Sequence, residues 1–317
     1  MPELLNLHPA AADMRQLVVE GLNRQPKQLP AWFLYDAEGS RLFEQICEQP
    51  EYTLTATETA LLEAQAPSIA AALGPGTLVE FGAGNARKVA PLLRALPDPA
   101  YVALDISLEQ LDAACGRLQR QFPAAAILGI CCDYSQLQQL PPHPLLSDGT
   151  RLGFFPGSSL GNFEPAAAQA LLAQFRQLLG PGGRLLIGID QPKPVQRLEA
   201  AYNDAAGLSA AFALNLLTRL NRDLQGDFDR DAFSYRARWL AEASQIEMAL
   251  VSRRRQRVQL AGQAWCFEAG EPLITETSAK YSPSAFLELA AAAGWRSQAR
   301  WSDPAEDLSL HLLVQAN

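Results

Sequence analysis

Five polar residues fall where apolar runs end: Glu80, Asp105, Asp133, Asn162 and Asp190. In an open α/β sheet, ligands bind beyond the carboxyl ends of the strands, so these positions come first. Glu80 opens the run Glu80-Phe81-Gly82-Ala83-Gly84-Asn85-Ala86-Arg87-Lys88. A small-residue turn follows the strand, and helical spacing resumes at Val89, Leu92, Leu93 and Leu96. Gly82 and Gly84 let the backbone approach a ligand with no Cβ in the way. The next apolar run, Tyr101 to Leu104, ends in Asp105, a carboxylate placed to accept from ribose hydroxyls. An ordinary strand–helix turn accounts for the glycines alone; the following acid and the later strands favour a nucleoside site. Arg87 stands where the dinucleotide fingerprint needs a third small residue, and the Gly-Lys-Ser/Thr of a phosphate loop is absent.

Other residues offer chemistry for a second ligand. Asn162 lies in Pro156-Gly157-Ser158-Ser159-Leu160-Gly161-Asn162-Phe163, past the fourth strand. Its amide can accept from an amine or donate to a carboxylate, or it can simply cap a turn or helix. Tyr35 and Tyr52 sit at element ends, where a tyrosine packs its ring and wets its hydroxyl. The five cysteines are scattered, with no C-x-x-C, and read as reduced thiols. With only three histidines, His8, His143 and His311, no metal-ligand spacing emerges and no serine–histidine triad is supported.

The elements that must position these residues alternate from Thr77 onward, as in a parallel sheet with crossover helices. Strands are expected at Thr77–Phe81, Tyr101–Leu104, Ala126–Cys131, Arg151–Phe155 and Arg184–Ile189, with helices at Leu108–Gln121 and Pro165–Leu179. Pro192-Lys193-Pro194 interrupts the alternation. Residues 196–281 then read as an inserted mixed lobe, with helical stretches and strand-like runs at Tyr235–Leu240, Ile246–Ser252, Arg257–Leu260 and Leu273–Ser278. A helix at Ser284–Ala293 and strands at Trp295–Trp301 and Leu308–Val314 close the chain.

At 317 residues, 48% hydrophobic, the chain can bury a sizeable core. A net charge of −8 argues against a broad nucleic-acid footprint, and Arg253, Arg254, Arg255 and Arg257 read as a solvated face. No apolar stretch is long enough to span a bilayer and Met1-Pro2-Glu3 opens no signal peptide, so a cytoplasmic monomer is expected.

The E-x-G-x-G turn with an acid on the next strand resembles motif I of class I S-adenosylmethionine-dependent methyltransferases. More specifically, LYDAEGSRLFEQICEQPEY, VEFGAGNARK, PGSSLGNFEP, AYNDAAGLSAAFALNLL, QIEMALVS and ITETSAKYS, in this order, resemble the L-histidine Nα-methyltransferases of ergothioneine biosynthesis. The resemblance spans nearly the whole chain. It implies a Rossmann-like core at 56–195 plus 282–317 and a mixed α/β substrate-binding lobe at 1–55 plus 196–281. It also implies three methyl transfers from S-adenosylmethionine to the α-amine of L-histidine, giving hercynine. Carried over by position, Glu80, Gly82, Gly84, Lys88, Asp105, Asp133 and Tyr134 would bind the cofactor. Tyr52, Asn162 and Tyr202 would hold the amino acid's carboxylate and amine, with Tyr35 close to the amine and Tyr35 and Asn162 as the catalytic pair. Glu276 and Ser278 would hold the imidazole and Met248 would pack against it. The chain departs from the family's histidine at Tyr235 and from its second tyrosine at Thr53. Alternatives are a methyltransferase for another amino acid or small amine, a Rossmann oxidoreductase, and a cofactor-binding scaffold without turnover. Substrate profiling, a nicotinamide titration and an activity assay respectively separate them.

Overall fold

The structure is a computed structural model that describes residues 2–7, 11–147 and 149–316, excluding the side chains of 11–13; His8 lies outside these. Fourteen strands follow in chain order among the described residues. The first seven are β1 (Glu3–Asn6), β2 (Lys27–Gln28), β3 (Thr77–Phe81), β4 (Ala100–Asp105), β5 (Ala126–Cys131), β6 (Arg151–Phe155) and β7 (Arg184–Asp190). The others are β8 (Phe233–Leu240), β9 (Gln245–Ser252), β10 (Gln256–Leu260), β11 (Gln263–Phe267), β12 (Pro272–Ala279), β13 (Trp295–Ser302) and β14 (Leu308–Gln315). The chain divides into two compact units, one of residues 1–8, 54–192 and 280–317, the other of 9–53 and 193–279.

The first unit is built on an eight-stranded sheet in the order β1-β5-β4-β3-β6-β7-β14-β13. β1 through β7 in this sheet run parallel, and β14 pairs antiparallel with β7 and β13. This is the sheet that the resemblance to class I methyltransferases implies, with its closing antiparallel pair, extended by one strand. That extra strand is a correction: residues 3–6, read as part of the lobe, add to the sheet through β5. Its short, partly exposed edge carries no apolar alternation to reveal it. The inner strands are buried along their length, as parallel strands covered on both faces must be. Phe81 stacks on Phe175 of the helix Pro165–Leu179 with ring centroids 4.0 Å apart, and Phe155 meets the same ring edge-on. Trp295 closes this layer, its indole N–H donating to the Leu172 carbonyl at 2.8 Å.

From β3 the chain builds β4 and β5 on one side of the sheet, then crosses to place β6 and β7 on the other. The order therefore reverses between β3 and β6, where the fold opens a crevice at the strands' carboxyl ends. At the end of β7, Asp190 does not face a ligand as an unpaired acid. Lys280 sits 2.8 Å from it, and both side chains are almost wholly buried. The Tyr281 N–H donates to the Asp190 carbonyl, so the chain's return is fastened there twice.

The second unit holds a four-stranded sheet, β2-β12-β9-β8, and the hairpin β10–β11. The helices Ala37–Ile46, Val195–Ala201 and Leu208–Leu224 belong to the same unit. β11 is absent from the sequence expectation for a clear reason. Its turn is Ala261-Gly262, with both residues at positive φ, the geometry of a two-residue hairpin turn. Alanine occupies a position where asparagine or glycine would have signalled the turn. The basic run lies beside this hairpin, and Arg254 and Arg255 pair with Asp229 and Glu268 as exposed ions. Among the described residues, no helix is long and apolar enough to cross a membrane.

Breaking a buried pair strands the remaining charge. Lys280→Ala should therefore lower the unfolding free energy by about 3–5 kcal/mol. Chemical denaturation checks this; an unchanged midpoint would show that the pair contributes nothing net.

Candidate active site

In the first unit the motif turn is held by the end of β4. The N–H groups of Gly82 and Ala83 both donate to the Leu104 carbonyl at 2.9 Å. The Gly84 N–H donates to Asp105 Oδ2 at 2.7 Å, and Oδ1 of the same carboxylate accepts from the Ser107 N–H at 2.9 Å. Gly82 and Gly84 have φ of 74° and 53°, the left-handed region that favours glycine. Nothing lies within 4 Å of where a Cβ on Gly84 would project, whereas Gly82 faces the Tyr134 ring, 3.4 Å from such a Cβ. Tyr134 also meets Phe81 and Phe155 edge-on. Beside it, Asp133 accepts from the N–H and hydroxyl of Ser135. Asp105, Asp133 and Tyr134 thus sit at or just past the ends of the neighbouring strands β4 and β5, Asp105 on the Gly84 N–H and the Tyr134 ring against Gly82. Two acceptors and an aromatic face fit a nucleoside's hydroxyls, exocyclic amine and base.

Glu80 departs from the expectation of a rim residue. Its side chain is buried and accepts a short hydrogen bond from the Tyr101 hydroxyl. Strand alternation explains this: Glu80 is one residue short of the strand end and shares a face with the neighbouring strand's Tyr101 and Ala103. It underpins the turn from below. Lys88 ends the turn with its ammonium 2.7 Å from Glu58. Across the switch point, Asn162 ends a short 3-10 turn, Ser159–Asn162, after β6 and is half-buried.

The second unit gathers the other predicted residues. Tyr35 ends the 3-10 turn Ala31–Leu34, and the next residue, Asp36, caps the helix Ala37–Ile46 through the Gly39 N–H. Asp36 also accepts from Asn215 and Arg222, which fixes the backbone beside Tyr35. The rings then run in sequence: Tyr35 to Phe43 at 5.4 Å, Phe43 to Tyr52 at 6.3 Å, Tyr52 to Tyr202 at 5.8 Å, all edge-on. The hydroxyls of Tyr202 and Ser278 lie 2.9 Å apart. Met248 on β9 stands directly opposite Glu276 on β12. Past a bulge between Ile274 and Glu276 the register is regular, so Glu276 and Ser278, two residues apart, share one face and Thr277 takes the other. The tyrosine wall, Glu276, Ser278 and Met248 thus belong to one assembly.

Sequence reading missed two supports. Tyr235, met only as a departure from the family, donates its hydroxyl to the Tyr202 carbonyl at 2.7 Å and so steadies Tyr202. Glu58, unremarked in the sequence, lies in the helix Thr53–Leu73. The other departure, Thr53, is exposed at the start of its helix. Burial first, and then Tyr202, Cys47, Tyr35 and Glu276, hold the Tyr52 hydroxyl well above its ordinary value. Burial and then Glu276 do the same to Tyr235. Both are neutral hydroxyls at neutral pH.

Burial pushes the Glu80 carboxyl up to about 8, against 4.5 for a free side chain. Between those values the folded protein keeps a proton that the unfolded chain releases. This residue's contribution to stability is complete below pH 4.5 and is lost as pH rises through 8. Glu80→Gln, neutral throughout, should abolish that part of the slope, read as Tm from about pH 5 to about pH 8.5. Parallel curves for variant and wild type would mean that Glu80 is already ionised in the fold.

Residues 14–315 match the family model described as histidine-specific methyltransferase, SAM-dependent. The chain is 39% identical over 312 residues to the histidine N-alpha-methyltransferase of Mycolicibacterium smegmatis, covering 96% of each chain. It is 37% identical over 309 residues to that of Mycobacterium tuberculosis, covering 95% of each. Among solved structures, the pyocyanin biosynthetic protein PhzM superposes with a TM-score of 0.50 at 12% identity, over 90% of this chain and 61% of that one, a likeness of fold. With a family match that takes in both the nucleoside turn and the tyrosine wall, the chain belongs to the S-adenosylmethionine-dependent, histidine-specific methyltransferases.

Proposed function

We propose that this enzyme methylates the α-amino group of L-histidine three times, using S-adenosyl-L-methionine, to give hercynine, a step of ergothioneine biosynthesis. The observation that carries the substrate reading is the face of β12, where Glu276 stands opposite Met248 and Ser278, two residues on, meets Tyr202 of the tyrosine wall. An imidazole presents an N–H donor and a second nitrogen that accepts. Glu276 answers the donor and the Ser278 hydroxyl answers the acceptor. Met248 packs against the ring. Tyr52, Tyr202 and Asn162 are assigned to the amino acid's carboxylate and amine, and Tyr35 to the neighbourhood of the amine.

In the first unit, Asp105 is assigned to the ribose, Asp133 and Tyr134 to the base, and Gly82, Gly84 and Lys88 to the turn that the cofactor lies on. Glu80 supports that turn from within the sheet. Once bound, the cofactor supplies an electrophilic methyl group on a sulfonium sulfur. The protein's own task is orientation, because the nucleophile is a neutral amine and positioning is the largest lever available. The first two rounds each release a proton from nitrogen. Tyr52, held neutral by burial, can accept a hydrogen bond from the amine and orient it without taking the proton, which leaves to water. After the third round the nitrogen is a quaternary cation with no donor left. Aromatic faces accommodate that charge where a hydrogen-bonding site would not.

With limiting histidine, the end product should carry three methyl groups on the α-nitrogen, and Asn162→Ala should lower turnover by roughly ten- to a hundredfold with cofactor affinity nearly unchanged. Mass spectrometry and calorimetry read the two results; a terminal monomethyl product contradicts the assignment.

Glu276→Ala tests the imidazole contact. A charge-assisted hydrogen bond contributes about 1.5–3 kcal/mol, so the preference for histidine over phenylalanine, as a ratio of kcat/KM, should fall by roughly ten- to over a hundredfold. An unchanged ratio would make Glu276 a solvated strand residue.

A further inference from the structure

Glu58 has no role in the chemistry above, yet it is the most completely enclosed acid beside the switch point. It lies in the helix Thr53–Leu73, in the same buried stripe as Leu54, Leu61 and Leu62, and its side chain is 0% exposed. A carboxylate in that position is costly unless it is fully compensated. Two donors compensate it. The Gly157 N–H donates to both oxygens, at 3.0 and 2.8 Å, and Lys88 Nζ lies 2.7 Å from Oε2. The neighbouring backbone leaves room for this arrangement. A Cβ on Gly188 would fall 1.9 Å from Glu58 Oε1, and one on Gly157 would fall 3.3 Å from Lys88 Nζ.

The partners matter because of where they sit. Lys88 ends the motif turn that follows β3, and Gly157 begins the loop that follows β6. β3 and β6 are the adjacent strands between which the sheet order reverses. Gly157 adopts φ of 80° and Ser158 a φ of 55°, a conformation uncommon for a non-glycine residue. The Ser158 hydroxyl accepts from the Asp190 N–H at 2.9 Å, so the loop is fixed on its β7 side as well. Asn162 follows four residues later, at the end of the same loop.

We propose that Glu58 is a positioning residue for methyl transfer: its buried carboxylate sets Lys88 and Gly157 against each other, and so fixes both the cofactor turn and the loop that presents Asn162. This rests on the roles assigned above to Lys88 and Asn162. It differs from a packing role in one respect. Removing Glu58 should disturb the reaction through Asn162, even in protein that is fully folded.

The test is a double-mutant cycle on the full chain: wild type, Glu58→Gln, Asn162→Ala, and both together. Each is assayed for kcat, histidine KM and S-adenosylmethionine affinity at a temperature well below every variant's Tm. Glu58→Gln keeps the shape but discharges the group, so Lys88 loses its counter-ion. A misplaced reacting group costs up to about a hundredfold, and we expect kcat to fall about ten- to a hundredfold while Asn162 is present. In the Asn162→Ala background the same change should lower kcat by less than about threefold, because its route of action is already gone. Two results overturn the proposal: kcat of Glu58→Gln within about twofold of wild type, or the same loss repeated in the Asn162→Ala background. Full activity of Asn162→Ala alone would instead remove Asn162 from the substrate, a failure of the functional reading visible without any Glu58 variant. Should Glu58→Gln not fold, Glu58→Asp replaces it throughout the cycle. That variant keeps the charge but draws the carboxylate back from Gly157 by one methylene, and the same two criteria apply.

Discussion

Too many acids at the carboxyl ends of one parallel sheet is the physical problem that the first unit solves. Glu58, Glu80, Asp105, Asp133 and Asp190 all lie near the strand ends, and most are buried. Buried like charges cannot all ionise without compensation. They are handled in three ways. Glu58 and Asp190 take a lysine each, Lys88 and Lys280. Glu80 keeps a proton near neutral pH and takes the Tyr101 hydroxyl. Asp105 and Asp133 accept from backbone N–H groups in the turns they stabilise. The two acids served by backbone donors are the two assigned to the nucleoside. Those served by lysines or by a proton fasten the frame.

The second unit follows another rule. Its ring sequence Tyr35, Phe43, Tyr52, Tyr202 has no formal charge, and burial keeps the Tyr52 and Tyr235 hydroxyls protonated. Glu276 is the acidic residue of the assembly, on the same strand face as Ser278. On the proposed reading, a neutral aromatic wall beside one carboxylate separates recognition of a ring N–H from handling of an amine that becomes a cation.

The frame was readable where physical pattern and consequence coincide. Strand β3, the glycine turn and Asp105 follow from apolar runs that end in small or acidic residues, and the structure gives β3, β5 and β6 the expected bounds. β1 was hidden because a short edge strand needs no alternation. β11 was hidden because its turn uses Ala261 in a conformation that alanine rarely advertises. Of the site residues, Glu276 and Ser278 came from the family resemblance, and their two-residue spacing only agreed with it. Glu80 shares a face with Asp105 but lies level with Ala103, one step deeper along the strands, so it is buried within the layer and not at its rim. Glu58 could not be assigned from sequence, since its partners lie 30 and 99 residues away and meet it only through the sheet's topology.

That topology also explains why such a residue is needed. A parallel sheet fixes its strands by ladder hydrogen bonds, but those ladders stop at the strand ends. β3 and β6 pair from Thr77 with Arg151 to Glu80 with Phe154, and the pairing ends just before the two loops begin. Beyond it, the backbones carrying the motif turn and Asn162 share no strand register. In-line transfer to nitrogen tolerates little angular freedom, and on the proposed role of Asn162 a tie beyond the ladder serves that need. A buried carboxylate suits that task better than apolar contact. It must satisfy several donors at fixed distances, and any shift of one loop against the other leaves an uncompensated charge. The fold thus converts the cost of a buried acid into a geometric constraint where the ladder no longer supplies one.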